Sequence, residues 1–258
     1  MIDLTGKHII VAGGSRGIGA EAARMASRAG AAVSVNYNSN AAAAMGVVNE
    51  ITEAGGKAFA VQGDISLDGE ADRAVDSAVE TLGPLSGLVV SAGIFEGMHI
   101  EKMTAEFWDR MMAINVRGTF LTVRAAVRHL RNNQDASGQC LGGSIVIYTS
   151  TAGQRGSSEY SAYATSKGAQ ILFMRSMAME LASDKIRVNC VAPAWTESDM
   201  VSDIIDDLGR ERIINNFPLK RIGLPSDIAG ATCFLLSDLA CFMTGSTITV
   251  DGGMDMRG

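Results

Sequence analysis

A single doubly wound α/β domain built on a parallel sheet is predicted by three features of the chain. Short β-branched runs alternate with longer helix-favouring segments over all 258 residues, the order that gives parallel pairing with right-handed crossovers. Several of the apolar runs stop abruptly in glycine or small polar residues, where an open α/β sheet presents its ligand site. No linker composition interrupts the pattern, since the 4 Pro are few and the 29 Gly stand at the ends of apolar segments. One domain therefore spans residues 1–258. Hydrophobic residues make up 47% of the chain and aromatic residues only 5%, so Ala, Val, Ile, Leu and the 14 Met must build the core.

The first predicted strand, Lys7 to Ala12, ends in Gly13-Gly14-Ser15-Arg16-Gly17-Ile18-Gly19, and a helix-favouring run begins at Ala20. Glycines let the backbone approach a ligand, and a new helix offers free N–H groups and its positive dipole end to a pyrophosphate. The spacing is G-x-x-x-G-x-G rather than the literal G-x-G-x-x-G fingerprint. The second strand, Ala31 to Tyr37, places Asn36 where NAD-binding chains carry an acid for the ribose 2′-hydroxyl. A missing carboxylate there, together with Arg16 in the glycine loop, favours NADP(H), with NAD(H) as the alternative.

A helix from Asn40 to Ala54 stops at Gly55-Gly56. A third strand from Lys57 to Val61 leads into Gly63-Asp64-Ile65, and an amphipathic helix is expected over 67–82. The fourth strand, Leu85 to Val90, closes in Ser91-Ala92-Gly93. A long helical region over 104–131 carries Asn115 among Met and Ile side chains, where a buried amide needs hydrogen-bond partners. The plain alternative is a helix distortion stapled by that side chain. Residues 132–143 form a polar loop, and a fifth strand runs from Ser144 to Tyr148.

Ser150 follows that strand, and Tyr163 and Lys167 lie one helical turn apart on one face of the next helix, which extends to about Leu181. A tyrosine has an ordinary pKa of about 10, and a nearby cation favours its phenolate. Lys167 supplies such a cation, while Ser150 can donate to a substrate oxygen that gains negative charge. Tyr160, seven residues from Lys167, is two turns away and does not share that charge. Taken alone, the Tyr–Lys pair is better read as a surface helix face. The sixth strand, Ile186 to Ala192, ends in Pro193-Ala194-Trp195-Thr196-Glu197-Ser198. A helical flap over about 195–217 offers Met200, Val201, Ile204 and Ile205 to a substrate, against ordinary packing of each. A helix over 226–236 and a strand from Thr247 to Val250 complete the chain.

The 22 Lys and Arg against 28 Asp and Glu give a net charge of −6 with no basic run, which excludes a phosphate-backbone partner. Cys140, Cys190, Cys233 and Cys241 contain no C-x-x-C pair, which argues against a zinc site and a disulfide framework. Thiols of this kind, a start without a signal-peptide pattern and no apolar stretch of ~18 residues give the expectation of a cytoplasmic protein with no membrane or metal role.

Gly13-x-x-x-Gly17-x-Gly19, Asp64, Ser91-Ala92-Gly93 and the series Asn115, Ser150, Tyr163, Lys167 together resemble the short-chain dehydrogenase/reductase family over nearly the whole chain. The resemblance implies a Rossmann-type fold and an oxidoreductase that moves hydride between a nicotinamide cofactor and a carbonyl or secondary alcohol. It implies that Tyr163 is the general acid or base, that Lys167 lowers its pKa and holds the nicotinamide ribose, that Ser150 orients the carbonyl and that Asn115 anchors a relay water. Cofactor contacts implied or read at this stage are Gly13, Ser15, Arg16, Gly17, Ile18, Gly19, Asn36, Tyr37, Asp64, Ile65, Ser91, Ala92, Gly93, Tyr163, Lys167, Pro193, Thr196 and Ser198.

Ala12, Ser91, Ala194 and Ser198 depart from the family pattern, Ala194 at a place where glycine is usual. The tail, with Pro218-Leu219-Lys220-Arg221-Ile222-Gly223 and Val250-Asp251-Gly252-Gly253, looks most like 3-oxoacyl-carrier-protein reductases and sugar or polyol dehydrogenases. Such relatives imply a homotetramer. Arg117, Arg124, Arg128 and Arg131 offer a basic face for an acidic carrier, or a solvated helix face. Gln154, His99 and Trp195 are expected at the substrate pocket. A nucleotide-binding module without turnover is the competing function.

Overall fold

The computed structural model describes residues 1–134, 137, 138 and 140–256, so the 132–143 loop reading falls partly outside the described residues. Seven strands form one parallel sheet in the order β3-β2-β1-β4-β5-β6-β7. They are β1 His8–Ala12, β2 Ala32–Tyr37, β3 Lys57–Gln62, β4 Gly87–Val90, β5 Gly143–Tyr148, β6 Ile186–Pro193 and β7 Thr247–Val250. The expected strands all form, and the central ones are short runs buried on both faces, as in Ile9, Val11, Val33, Val35, Ile145 and Val188, while β3 and β7 at the edges are partly exposed.

Helices cover both sides of the sheet. On one side α1 (Gly17–Arg28), α2 (Ala41–Glu53) and α10 (Pro225–Leu236) pack small residues such as Ala22, Ala23, Ala26 and Ala229 against Val33, Val35 and Val191. On the other, α3 (Glu70–Leu82), α5 (Gly118–Asn132) and α7 (Ser161–Glu180) bury Ala78, Ala126, Met174 and Ala178 against Leu88, Ile145 and Val188. Alanine lets helix backbones sit close to the sheet, consistent with the low aromatic content.

The expected helix over 67–82 begins later, at Glu70. Asp64 folds the preceding residues into a turn by accepting from the Ser66 N–H at 2.9 Å and the Ser66 hydroxyl at 2.7 Å. The long helical region is α4 (Ala105–Met112) and α5 joined by a π turn over Ala113–Arg117, with Asn115 at the distortion. The flap is two short helices, α8 (Ser202–Leu208) and α9 (Arg210–Asn215), broken at Gly209, whose φ is +86°. Ile205 is fully buried with Ile213, Phe217 and Ile222, so it packs the flap and does not face substrate. No described helix is long and apolar enough to cross a membrane.

The strand order reverses between β1 and β4, and a crevice opens there at the carboxyl ends of the strands. The Ala12 carbonyl accepts from both the Ser91 and Ala92 N–H groups at 2.9 Å, which pins the two turns together at that point.

Candidate active site

The glycine turn after β1 is a cradle built on missing side chains. Gly13 has φ +75°, and a Cβ on it would stand 2.6 Å from the Ala92 nitrogen. A Cβ on Gly19 would stand 2.2 Å from the Gly13 carbonyl and 2.8 Å from the Ser91 hydroxyl. Gly17, with φ +55°, faces Ser198 across the cleft, its Cβ position 3.4 Å from that side chain. Only glycine fits where the first two turns meet, and α1 begins at Gly17 with its N–H groups at the cleft.

A cleft of about 430 Å³ runs from this cradle to Tyr163 and Lys167. Ser15, Arg16, Ile18, Asn36, Tyr37, Asp64, Ile65, Ser91, Ala92, Gly93, Ser150, Pro193, Thr196 and Ser198 all line it. Gly19 and Asn115 stand just behind that lining, through Gly13 and Gly93 respectively. Ala194 also lines it and is not among the positive-φ residues, so alanine is accepted there without backbone strain.

The Asn36 side chain plays a different part from the one expected. It is 3% exposed, and its amide donates to the Val61 and Gly63 carbonyls at 3.3 and 3.1 Å. Those N–H groups hold the turn after β3 rather than reaching the cleft. Beyond it the cleft wall is Tyr37, Asn38, Ser39 and Asn40, polar and uncharged. Arg16 is exposed on the cleft and takes part in no ion pair among the described residues.

Ser150 ends β5 as the N-cap of α6 (Thr151–Arg155), accepting from the Ala152 N–H at 3.1 Å. Its hydroxyl proton has a distant partner in the Pro193 carbonyl, at 3.5 Å, and a closer acceptor in the cleft would take it. Helix α6 was not foreseen; it crosses α7 at Gly153, where a Cβ would stand 2.6 Å from the Lys167 carbonyl carbon. That close crossing sets Ser150 against Tyr163 and Lys167.

Lys167 is 6% exposed, its Nζ donates to the Tyr148 carbonyl at 2.9 Å, and it lies 5.7 Å from the Tyr163 ring centroid. The expected lowering of the phenol pKa by Lys167 is not what the structure shows. Burial pushes Tyr163 up to about 12, and the opposing influence is its hydrogen bond with Ser150. Burial also pushes Lys167 down to about 8. In each case loss of hydration disfavours the charged form most, opposed by Ser150 at the phenol and by Cys190 at the ammonium.

Asn115 is fully buried, and its side chain is spent on protein partners. Its Oδ1 accepts from the Ile94 N–H at 2.8 Å, and its Nδ2 donates to the Ile94 carbonyl and the Ser166 hydroxyl at 3.0 Å each. The π turn exposes its carbonyl, which accepts from Thr119 Oγ1 and Gln170 Nε2 at 2.7 Å each. Asn115 thus staples the loop after β4 to α7.

Trp195 lines the cleft as expected. Gln154 instead turns to β7 and donates to Thr249 at 3.0 Å. His99 is also absent from the lining; it stands 3.6 Å from Glu159 on the outside. The four arginines of α5 and its N-terminal turn are engaged. Arg117 donates to the Ser66 carbonyl, Arg124 pairs with Asp68 and Asp72, Arg128 with Asp72 and Arg131 with Asp184. Three of the four are thus paired with carboxylates on a solvated face.

Sequence reasoning missed Phe95, Tyr160, Arg155 and Met254 in the cleft wall. Arg155 is tied to Asp255 at 3.4 Å. The nearest sequence signals were an aromatic residue two places after the Ser91-Ala92-Gly93 turn and a second tyrosine three before Tyr163.

A family model described as enoyl-(acyl carrier protein) reductase matches residues 12–255. An uncharacterized oxidoreductase of Methylorubrum extorquens is 40% identical over 256 residues, covering 98% of this chain and 100% of that protein. A versicolorin reductase of Emericella nidulans is 36% identical, covering 97% of this chain and 96% of that one. The solved structure of a short-chain type dehydrogenase/reductase from Mycobacterium ulcerans superposes with a TM-score of 0.90 at 32% identity, covering 98% and 90% of the two chains.

Proposed function

Because the chain belongs to the short-chain dehydrogenase/reductase family and is an oxidoreductase with a nicotinamide cofactor, we propose that it reduces a carbonyl to a secondary alcohol, with NADPH preferred. The observation that carries this reading is the convergence of Ser150, Tyr163 and Lys167 on one cleft with the glycine cradle. That cradle fits the cofactor, since Gly13 and Gly19 let the turns after β1 and β4 close on each other and so set the start of α1 at the cleft. Held there by the glycine turn and Lys167, the reduced cofactor would supply hydride chemistry to the carbonyl carbon. Ser150 orients the carbonyl oxygen, and Tyr163, held protonated by burial at neutral pH, gives it the proton that completes the alcohol. Lys167 fixes the β5 end through the Tyr148 carbonyl and holds the ribose side of the site. Asn115 positions α7 and the turn at Gly93.

The NADPH preference is supported by Arg16, exposed on the cleft, and by the uncharged stretch from Asn36 to Asn40. A guanidinium suits a 2′-phosphate. Comparing kcat/KM for NADPH and NADH tests it. A preference for NADPH that falls by about tenfold in Arg16→Ala is expected, of the size of one charge-assisted contact, and a preference for NADH overturns it.

The description of the matching family brings in an acyl thioester as one candidate substrate, but Arg124, Arg128 and Arg131, which would meet an acidic carrier, are already paired with Asp72 and Asp184. A homotetramer belongs to the same reading and is supported by exposed Phe120, Leu172, Met179 and Phe242. Sedimentation velocity checks it, a monomer being the contrary result.

A further inference from the structure

Aromatic residues are scarce in this chain at 5%, yet Phe95, Tyr160, Tyr163 and Trp195 stand together on one wall of the catalytic cleft. Phe95 is the hub. It stacks on Tyr160 with centroids 4.6 Å apart and planes 2° from parallel. It meets Tyr163 edge-on at 4.7 Å and 81°, and Trp195 at 5.7 Å and 90°.

The backbone is adapted to hold this arrangement. Glu159 has φ +66°, the left-handed region that costs a non-glycine residue free energy. Its carbonyl accepts from the Met98 N–H at 2.7 Å, tying the loop after β4 to the start of α7. Gly97 leaves space for the Tyr160 ring, since a Cβ there would stand 2.9 Å from it. The wall is therefore set in place by the chain itself, as broad carbon faces with a single polar group at the tip or edge of Tyr160, Tyr163 and Trp195.

We propose that the reducible carbonyl is borne on a ring fused to a flat aromatic ring, which lies against the Phe95–Tyr160–Trp195 wall with the carbonyl oxygen toward Ser150 and Tyr163. This deepens the hydride-transfer reading and rests on it. A rigid flat ring meets a preformed aromatic wall with good offset or edge contact and little entropy lost on binding. A flexible acyl chain must be ordered against that wall. A sugar would leave hydroxyls facing carbon, without partners.

The test uses the full chain with NADPH and compares kcat/KM for 2-tetralone, for 2-decalone, which is of the same size but saturated and not flat, and for an acetoacetyl thioester. The tetralone is expected to exceed both by about five- to tenfold, the range that aromatic contacts supply. Tyr160→Ala should bring the tetralone-to-decalone ratio close to one and Tyr160→Phe should keep it. Gly97→Val, which drives into the Tyr160 ring, should reduce the ratio as well. NADPH binding by fluorescence titration establishes that each variant folds. Equal or better turnover of the decalone or the thioester overturns the proposal, as does an unchanged ratio in Tyr160→Ala. NADPH binding with no turnover of any ketone or thioester overturns the hydride-transfer reading instead, and this proposal with it.

Discussion

Lys167 is buried and Tyr163 half-buried on the cleft, and their protons respond to desolvation in opposite senses. The phenol, pushed up to about 12, keeps its proton through neutral pH, while the ammonium, pushed down to about 8, gives its proton up near the edge of the physiological range. Lys167 is thus cationic below that value and neutral above it. Reduction should fall as pH rises through about 8, while the phenol remains a donor. A pH profile of kcat/KM checks this, with Lys167→Arg expected to move the falling limb upward because guanidinium stays charged. A flat profile through that window would detach the lysine charge from catalysis. The aromatic wall at this scale could not be read in advance, because Phe95 and Tyr160 meet only through the left-handed Glu159 and the gap at Gly97. Nothing in residue spacing reports such a long-range contact.

Individual elements hold the site through close crossings. Gly153 lets α6 lie on α7, and an added Cβ would press on the Lys167 backbone, which cannot turn aside. Gly153→Ala should cost about 1–3 kcal/mol of stability and lower kcat more than it changes NADPH affinity, a split that denaturation and binding titrations resolve. Helix α6 escaped sequence reading because five residues around a glycine carry too little periodicity. The π turn was partly legible, since Asn115 amid Met and Ile called for partners; its spent carbonyl was not.

Strand β1 offers a separate test. His8 is buried between the Gly83 carbonyl and the Ser34 hydroxyl, each at 2.9 Å, and burial lowers its pKa. The unfolded chain, with an ordinary histidine pKa of about 6.5, takes up a proton that the folded chain resists. Stability should therefore fall as pH drops below about 6.5, and His8→Asn should flatten that dependence in Tm measurements. An equal slope in both proteins would remove His8 as its source.

At the scale of the whole molecule, the fold was largely legible because it is consistent across levels. β-branched runs buried on both faces, glycine at strand ends and alanine on the covering helices all specify the same parallel sheet. The cleft followed from the sheet, since the reversal between β1 and β4 lies where the glycine turn and Ser91 were already marked. Less legible were the side chains whose partners come from elsewhere, among them Asn36, Gln154 and the arginines of α5, because a polar residue in sequence does not announce its acceptor. A cofactor that binds only the folded chain raises Tm with its concentration. NADPH should raise Tm more than NADH at equal concentration, and the reverse order would contradict the role given to Arg16.

The most direct test of the central claim is single-turnover oxidation of bound NADPH by a ketone substrate in the wild-type chain and in Tyr163→Phe. The phenylalanine variant should bind NADPH with unchanged affinity and oxidise it about 10²–10⁴-fold more slowly, the contribution expected of a positioned general acid. Wild-type rates in a folded, NADPH-saturated Tyr163→Phe protein would show that the proton comes from another group.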